Sequence, residues 1–198
     1  MPVRLIGVPG RERTPLRSIT LVFLLVLFGP QTLEAQDRWD EAARRIRYLS
    51  PAEFPSAPPD VIRALDARAC RIPQVWYDSL PHNVIRGEFA RPGQEDWAAL
   101  CSRTGVSQIL VFWGGSAGGV DSLAAHEDTS FLQLVDPDRI GFSRRIEVAD
   151  SSIMWEYFEE YQPPIRLDHQ GISDAFVEKG ASIFYYLSGG WVELADAD

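Results

Sequence analysis

The apolar positions change spacing along the chain, and each spacing predicts a different element. Ile19 to Phe28 is a run of ten residues, apolar except for Thr20. Trp39, Ala42, Ala43 and Ile46 then recur at the i, i+3, i+4, i+7 spacing of one helix face, which predicts a short helix over Asp37–Tyr48 with Asp37 as its cap and arginines in its last turn. Ser50 to Pro59 holds four prolines and reads as an extended linker. Pro59 and Asp60 open a second predicted helix that runs to Arg68, with Val61, Ile62 and Leu65 buried, and it delivers Cys70 to the body of the domain.

From Asn83 onward the period shortens to two. Three strands are predicted at Val84–Phe89, Asp96–Ser102 and Ser107–Trp113, joined by turns at Pro92-Gly93 and Thr104-Gly105. The second and third are apolar on both faces. Trp97, Ala99 and Cys101 oppose Ala98 and Leu100, and Ile109, Val111 and Trp113 oppose Leu110 and Phe112. A strand covered on one side alternates, so this sheet is expected to be covered on both, by the helices on one face and later strands on the other. Gly114–Gly119 is expected to be a flexible loop. Phe131–Val135, Arg144–Ala149 (Ile146 and Val148 inward) and Ser152–Phe158 follow as β-prone stretches, and Ala181–Leu187 and Trp191–Leu194 flank Ser188-Gly189-Gly190 as a terminal hairpin. The expected fold is α+β: two short N-terminal helices, then a mostly antiparallel sheet of six to eight strands.

The start of the chain reads as an address. Arg4, Arg11, Arg13 and Arg17 precede the apolar run, Gly29 and Pro30 break it, and Ala35 offers a cleavage site. That is the layout of a secretory signal peptide over residues 1–35, and the run is short for a membrane span, which takes about 20 residues. An uncleaved anchor is the competing reading. The remainder divides into a helical, proline-rich segment, residues 36–80, and a β-rich core, residues 81–198, together expected to form one exported domain, periplasmic or extracellular. Removing the leader leaves 15 basic and 26 acidic residues, where the whole chain has 19 and 28. So acidic a surface repels nucleic acid and anionic membranes. Cys70 and Cys101 are the only cysteines. An even count in an exported chain predicts a disulfide; two free buried thiols or a metal site are the alternatives, and two sulfurs without a neighbouring histidine make a poor zinc site.

The turn Gly87 to Trp97, GEFARPGQEDW, resembles the FG-GAP or VCBS-type repeat of extracellular β-propellers. Gly87, Phe89, Gly93 and Asp96 match the pattern, and ALCSRTGVSQILVFW continues as strand–turn–strand. The resemblance implies hairpin geometry. In that family the turn often binds calcium, but Ala90 and Pro92 stand where ligands belong, and Glu88 with Asp96 fall short of the six or more oxygens calcium takes. No metal or cofactor is therefore expected. More broadly, CRIPQ from Cys70, NVIRGEF, DWAALCS, ILVFW and the stretch Asp168–Tyr186 together resemble an uncharacterised group of exported bacterial proteins, which implies no activity.

Gly114-Gly115-Ser116-Ala117-Gly118 fits G-x-S-x-G, the nucleophile elbow of α/β-hydrolases. Val120–His126 would supply the helix that follows, and Asp136, Asp138 or Asp150 with His169 would complete the order Ser…Asp…His. Antiparallel hairpins upstream, in place of parallel βα units, argue against it, as does the lack of an HGGG-like segment. Glu156, Glu159 and Glu160 read as a solvated acidic edge rather than paired catalytic carboxylates, and Lys179, the only lysine, as a surface group. Trp113, Tyr185, Tyr186 and Trp191 have the composition of a sugar-stacking platform, though β spacing more often makes such residues core. The expectation is a non-catalytic structural or interaction module with a protein or carbohydrate partner; the alternative is a small serine hydrolase using Ser116 and His169.

Overall fold

The structure is a computed structural model that describes residues 31–158 and 167–195. The chain divides into two compact units, Met1–Arg38 and Trp39–Asp198. The basic start and apolar run of the predicted leader, Glu159 and Glu160 lie outside the described residues. Helix α1 spans Gln31–Arg44, so it begins ahead of the cleavage point expected after Ala35 and ends before the predicted Tyr48. Arg47–Leu49 is instead a strand, β1, antiparallel to β2 at Ile72–Gln74. Pro51 disfavours helical backbone just before it, and the pairing lets Leu49 bury its side chain.

Helix α2, Pro59–Ala67, starts on a proline whose missing N–H has no helical partner to lose, and its Val61, Ala64 and Leu65 are buried. Ala69 takes a left-handed conformation just past its end. That lets the Ala69 and Cys70 amides donate back to the carbonyls of Asp66 and Leu65, a helix stop that turns Cys70 into the core. There Cys70 and Cys101 form the predicted disulfide, closing a separation of 31 residues.

The central sheet has the order β3-β4-β5-β6, all antiparallel: Val84–Gly87, Asp96–Arg103, Val106–Phe112 and Val120–Glu127. It is covered on both faces as its pattern requires. Trp97, Ala99, Cys101, Leu110 and Phe112 pack with Val61, Ala64 and Leu65 of α2 and with Ile72. Ala98, Leu100, Ile109 and Val111 pack with Ile146, Ile172 and Phe184 of a second antiparallel sheet. That sheet has the order β12-β11-β10-β9. Its strands are β9 at Arg144–Ala149, β10 at Gly171–Phe176, β11 at Gly180–Leu187 and β12 at Gly190–Ala195, the last two forming the predicted terminal hairpin. Between the sheets in sequence, β7 (Leu132–Asp136) and β8 (Arg139–Phe142) make a two-stranded ribbon.

The α+β class holds, and the two larger sheets supply eight strands. Besides Arg47–Leu49, two further elements differ from a reading of the sequence. Val120–Glu127 is a strand rather than the helix that a nucleophile elbow would need: it pairs with β5 over most of its length, and one register shift between Ser107 and Ile109 absorbs the left-handed Ala124. Ser151–Phe158 is a helix, α3, rather than a strand. The Asp150 carboxylate accepts from the Ser152 hydroxyl and the Ile153 amide, a cap at the helix start, and Met154 anchors the helix in a small cluster with Ile183 and Tyr185.

Candidate functional site

The glycine loop is the connection of an antiparallel hairpin. After β5 the chain makes one 3-10 turn at Trp113–Gly115 and returns as β6, with Phe112 opposite Val120. Ser116 is exposed in that loop, and its Oγ accepts a hydrogen bond from the Gly118 amide at 3.1 Å. His169 lies in the segment entering β10. Its Nδ1 is 3.1 Å from the Gln170 carbonyl, and its ring stacks on Tyr185 with centroids 4.2 Å apart. Among the described residues no Ser–His hydrogen bond is present. Of the acids considered with them, Asp136 pairs with Arg139 at 2.7 Å, and Asp150 caps α3, where the Ser152 hydroxyl holds its carboxyl below the ordinary range.

The repeat-like turn is closed by its own carboxylates. Asp96 is wholly buried. Its Oδ2 accepts from the amides of Phe89 and Ala90, and its Oδ1 from the Gly114 amide and the Gln94 side chain, at 2.8–3.1 Å. Glu88 accepts from the Gly93 amide. Asp96 thus ties the turn to the glycine loop through donors that a carboxylate satisfies unaided. No cluster of three or more histidine, cysteine, aspartate or glutamate side chains suited to a metal occurs among the described residues.

A further buried polar arrangement lies between the two sheets. Arg144 of β9 is fully buried. Its Nε and Nη2 donate to the two carboxylate oxygens of Asp174 in β10 at 2.9 and 2.7 Å. Nη1 donates to the carbonyl and hydroxyl oxygens of Ser107, and Nη2 also to the Ala124 carbonyl. All five guanidinium donors find partners, and the group lies 4.6 Å over the Phe131 ring. Asn83, buried and left-handed, works beside it: its amide donates to the Pro73 and Arg144 carbonyls, and its Oδ1 accepts from the Ile146 amide. Sequence reasoning missed both residues. The signal for Arg144 was present, since it shares strand parity with Ile146 and Val148, the positions expected to point inward.

Two further clusters are smaller. The Asp128 carboxylate, buried, accepts from the hydroxyls of Ser102 at 2.5 Å and Tyr48 at 2.8 Å. Burial, with the Asp128 carboxylate beside it, pushes the Tyr48 phenol well up. His82 accepts the Val75 amide on Nε2 at 2.8 Å, which places its proton on Nδ1, 2.9 Å from the Leu80 carbonyl. Burial lowers its pKa, and this neutral ring latches the loop 75–82 together with Gln74, whose side chain exchanges hydrogen bonds with the His82 backbone.

Two features are partly open to solvent. Trp113, Tyr186 and Trp191 converge at ring separations of 4.7–5.6 Å, and the Trp191 indole donates to Asp121. Tyr185, grouped with them in the sequence, points the other way, into the cluster under α3. The second feature is a cleft of about 450 Å³ between the end of α1, β1, β8 and the loop after β2. Arg45, Arg47, Arg139 and Asp78 line it with Trp76, Tyr77 and aliphatic side chains. No protein-family model, curated protein or solved structure matches the chain.

Proposed function

We propose that the chain is an exported, non-catalytic interaction domain. The observation that carries this reading is where its interior polar groups are spent. Arg144, Asp174, Asn83, Asp96 and His82 bond to the backbone or to one another and hold strands and loops in place. Such satisfied groups rigidify a core rather than present a reacting atom. Export is supported by the leader pattern, and the disulfide is consistent with an oxidising compartment. The partner expected from the sequence, protein or carbohydrate, would meet the aromatic edge of Trp113, Tyr186 and Trp191 beside the exposed glycine loop.

A fluorophosphonate probe tests this reading against the hydrolase alternative. Intact-mass measurement of the protein after incubation is expected to show no adduct. An adduct that forms on the wild type and disappears in Ser116→Ala would overturn the non-catalytic reading and assign Ser116 as a nucleophile.

A further inference from the structure

We infer that the arginine-lined cleft is a binding site for a small organic anion, one carboxylate or phosphate head on an apolar body. The charge of the cleft runs against that of the protein. The chain carries a formal net charge of −9, yet the cleft collects Arg45, Arg47 and Arg139 against a single acid, Asp78. Asp78 is already engaged, with its carboxylate 3.0 Å from Arg145 outside the lining. Arg45 pairs with Glu41 and is the more open, its side chain 76 % exposed against 55 % for Arg139, so the two arginines that define the site are Arg47 and Arg139. Arg47 donates from Nη1 and Nη2 to the carbonyls of Asp78 and Ser79, at 3.3 Å, rather than to a carboxylate, so its charge is fixed in position without being neutralised. Arg139 is held 4.4 Å over the Trp76 ring. Its ion pair with Asp136 is more than half exposed on both sides, the kind of pair that contributes little and yields readily to a competing anion.

The apolar half of the site is equally specific. Gly141 permits the Trp76 indole to lie against β8, because a Cβ there would sit 2.6 Å from the Trp76 Cβ. The Trp76 ring therefore serves as both a wall of the cleft and a seat for Arg139. The volume falls in the range of small-molecule sites, about 300–1,000 Å³. Planar guanidinium groups recognise carboxylate and phosphate alike through paired N–H donors, so the head group is defined by charge and geometry rather than by its central atom. This assignment goes beyond the non-catalytic reading and stands apart from it, since neither Ser116 nor His169 lines the cleft.

Calorimetric titration at low salt with 3-phenylpropionate, phenyl phosphate, inorganic phosphate and 3-phenyl-1-propanol tests it. Saturable binding is expected for one or both aryl anions, the stronger one reporting which head group the site prefers. The neutral alcohol and bare phosphate are expected to bind at least about tenfold more weakly, because each lacks one half of the recognition. Arg47→Met and Arg139→Met should each weaken the aryl anion at least about tenfold, the loss of one charge-assisted contact. Arg47 bonds to the backbone of the loop 75–82, whereas Arg139 lies over the face of the Trp76 ring and makes no hydrogen bond to that loop among the described residues, so the second variant separates loss of binding from loss of the loop. Absence of binding by both aryl anions, equal binding by bare phosphate or the alcohol, or unchanged affinity in both arginine variants would each overturn the assignment.

Discussion

Asp174→Ala exposes what the interior of this domain rests on. In the folded protein the Arg144 side chain has no solvent exposure and that of Asp174 has 6 %. The substitution deletes both acceptors of the pair while leaving the guanidinium in place, still bonded to Ser107 and Ala124. Two donors lose their partner, and a buried charge loses its counter-charge. Breaking a buried pair from one side costs about 3–5 kcal/mol, because the remaining charge stays desolvated. For a domain of this length that corresponds to a fall in melting temperature of about 6–20 °C. The assay is urea unfolding with the disulfide oxidised, followed by tryptophan fluorescence and far-ultraviolet circular dichroism, whose coincidence checks two-state behaviour. The double variant Arg144→Met/Asp174→Ala removes the charge but leaves the Ser107 and Ala124 carbonyls without their donor. It is expected to recover part of the loss and not all of it. A loss below about 1 kcal/mol for Asp174→Ala would show that the guanidinium does not remain buried and unpaired, and the pair would then not be what stabilises the Arg144 charge between the two sheets.

Three further outcomes follow from the same geometry. Replacing both cysteines by alanine opens a loop of 31 residues and is expected to lower stability by about 3–4 kcal/mol on the chain-entropy view, read from the urea midpoint; a change below about 1 kcal/mol would contradict it. His82 is neutral in the folded protein and its pKa is lowered by burial from the ordinary value of about 6.5, so its contribution is complete above that value and is lost as pH falls through the folded one. Asp78 stays charged through that window, its carboxyl held low by the Leu80 amide, so the wild type should lose more stability than His82→Gln between about pH 7.5 and pH 5, and parallel profiles would remove His82 as the cause. Gly87→Ala places a Cβ 2.6 Å from the ring of the fully buried Phe89, an overpacking expected to cost about 1–3 kcal/mol in the same unfolding assay.

The parts of the fold that were legible are those where packing repeats a simple period. Trp97 to Cys101 and Ile109 to Phe112 announced a sheet buried on both faces, and their neighbours in space are the α2 and second-sheet residues that such a pattern demands. Cys70 and Cys101 were readable from their number and the expected compartment. What escaped was set by tertiary context. The segment Val120–Glu127 is a partly exposed strand with His126 and Glu127 toward its end, and nothing local marks it as the fourth strand of the sheet; pairing with β5 decides it. Ser151–Phe158 is rich in aromatics that favour strands, yet one capping carboxylate and the burial of Met154 settle it as a helix. The site was least legible of all. Arg47, Trp76 and Arg139 come from three separate segments that only the β1–β2 pairing and the β7–β8 ribbon bring together. Ser116, the most visible motif in the sequence, sits in a hairpin loop, because a glycine-rich connection satisfies a short pattern by composition alone.

Asn83 and Asp96 are buried side chains bonded to backbone amides, and native-state hydrogen exchange at those amides tests whether they hold the backbone. The Ile146 amide donates to Asn83 Oδ1, and those of Phe89 and Ala90 to Asp96 Oδ2. They are expected to exchange as slowly as the Leu100 amide of the central sheet, which donates to the Asn83 carbonyl, and to open only with global unfolding. Exchange of the Ile146 and Phe89 amides at the rate of exposed loops, while Leu100 stays protected, would contradict an architectural role.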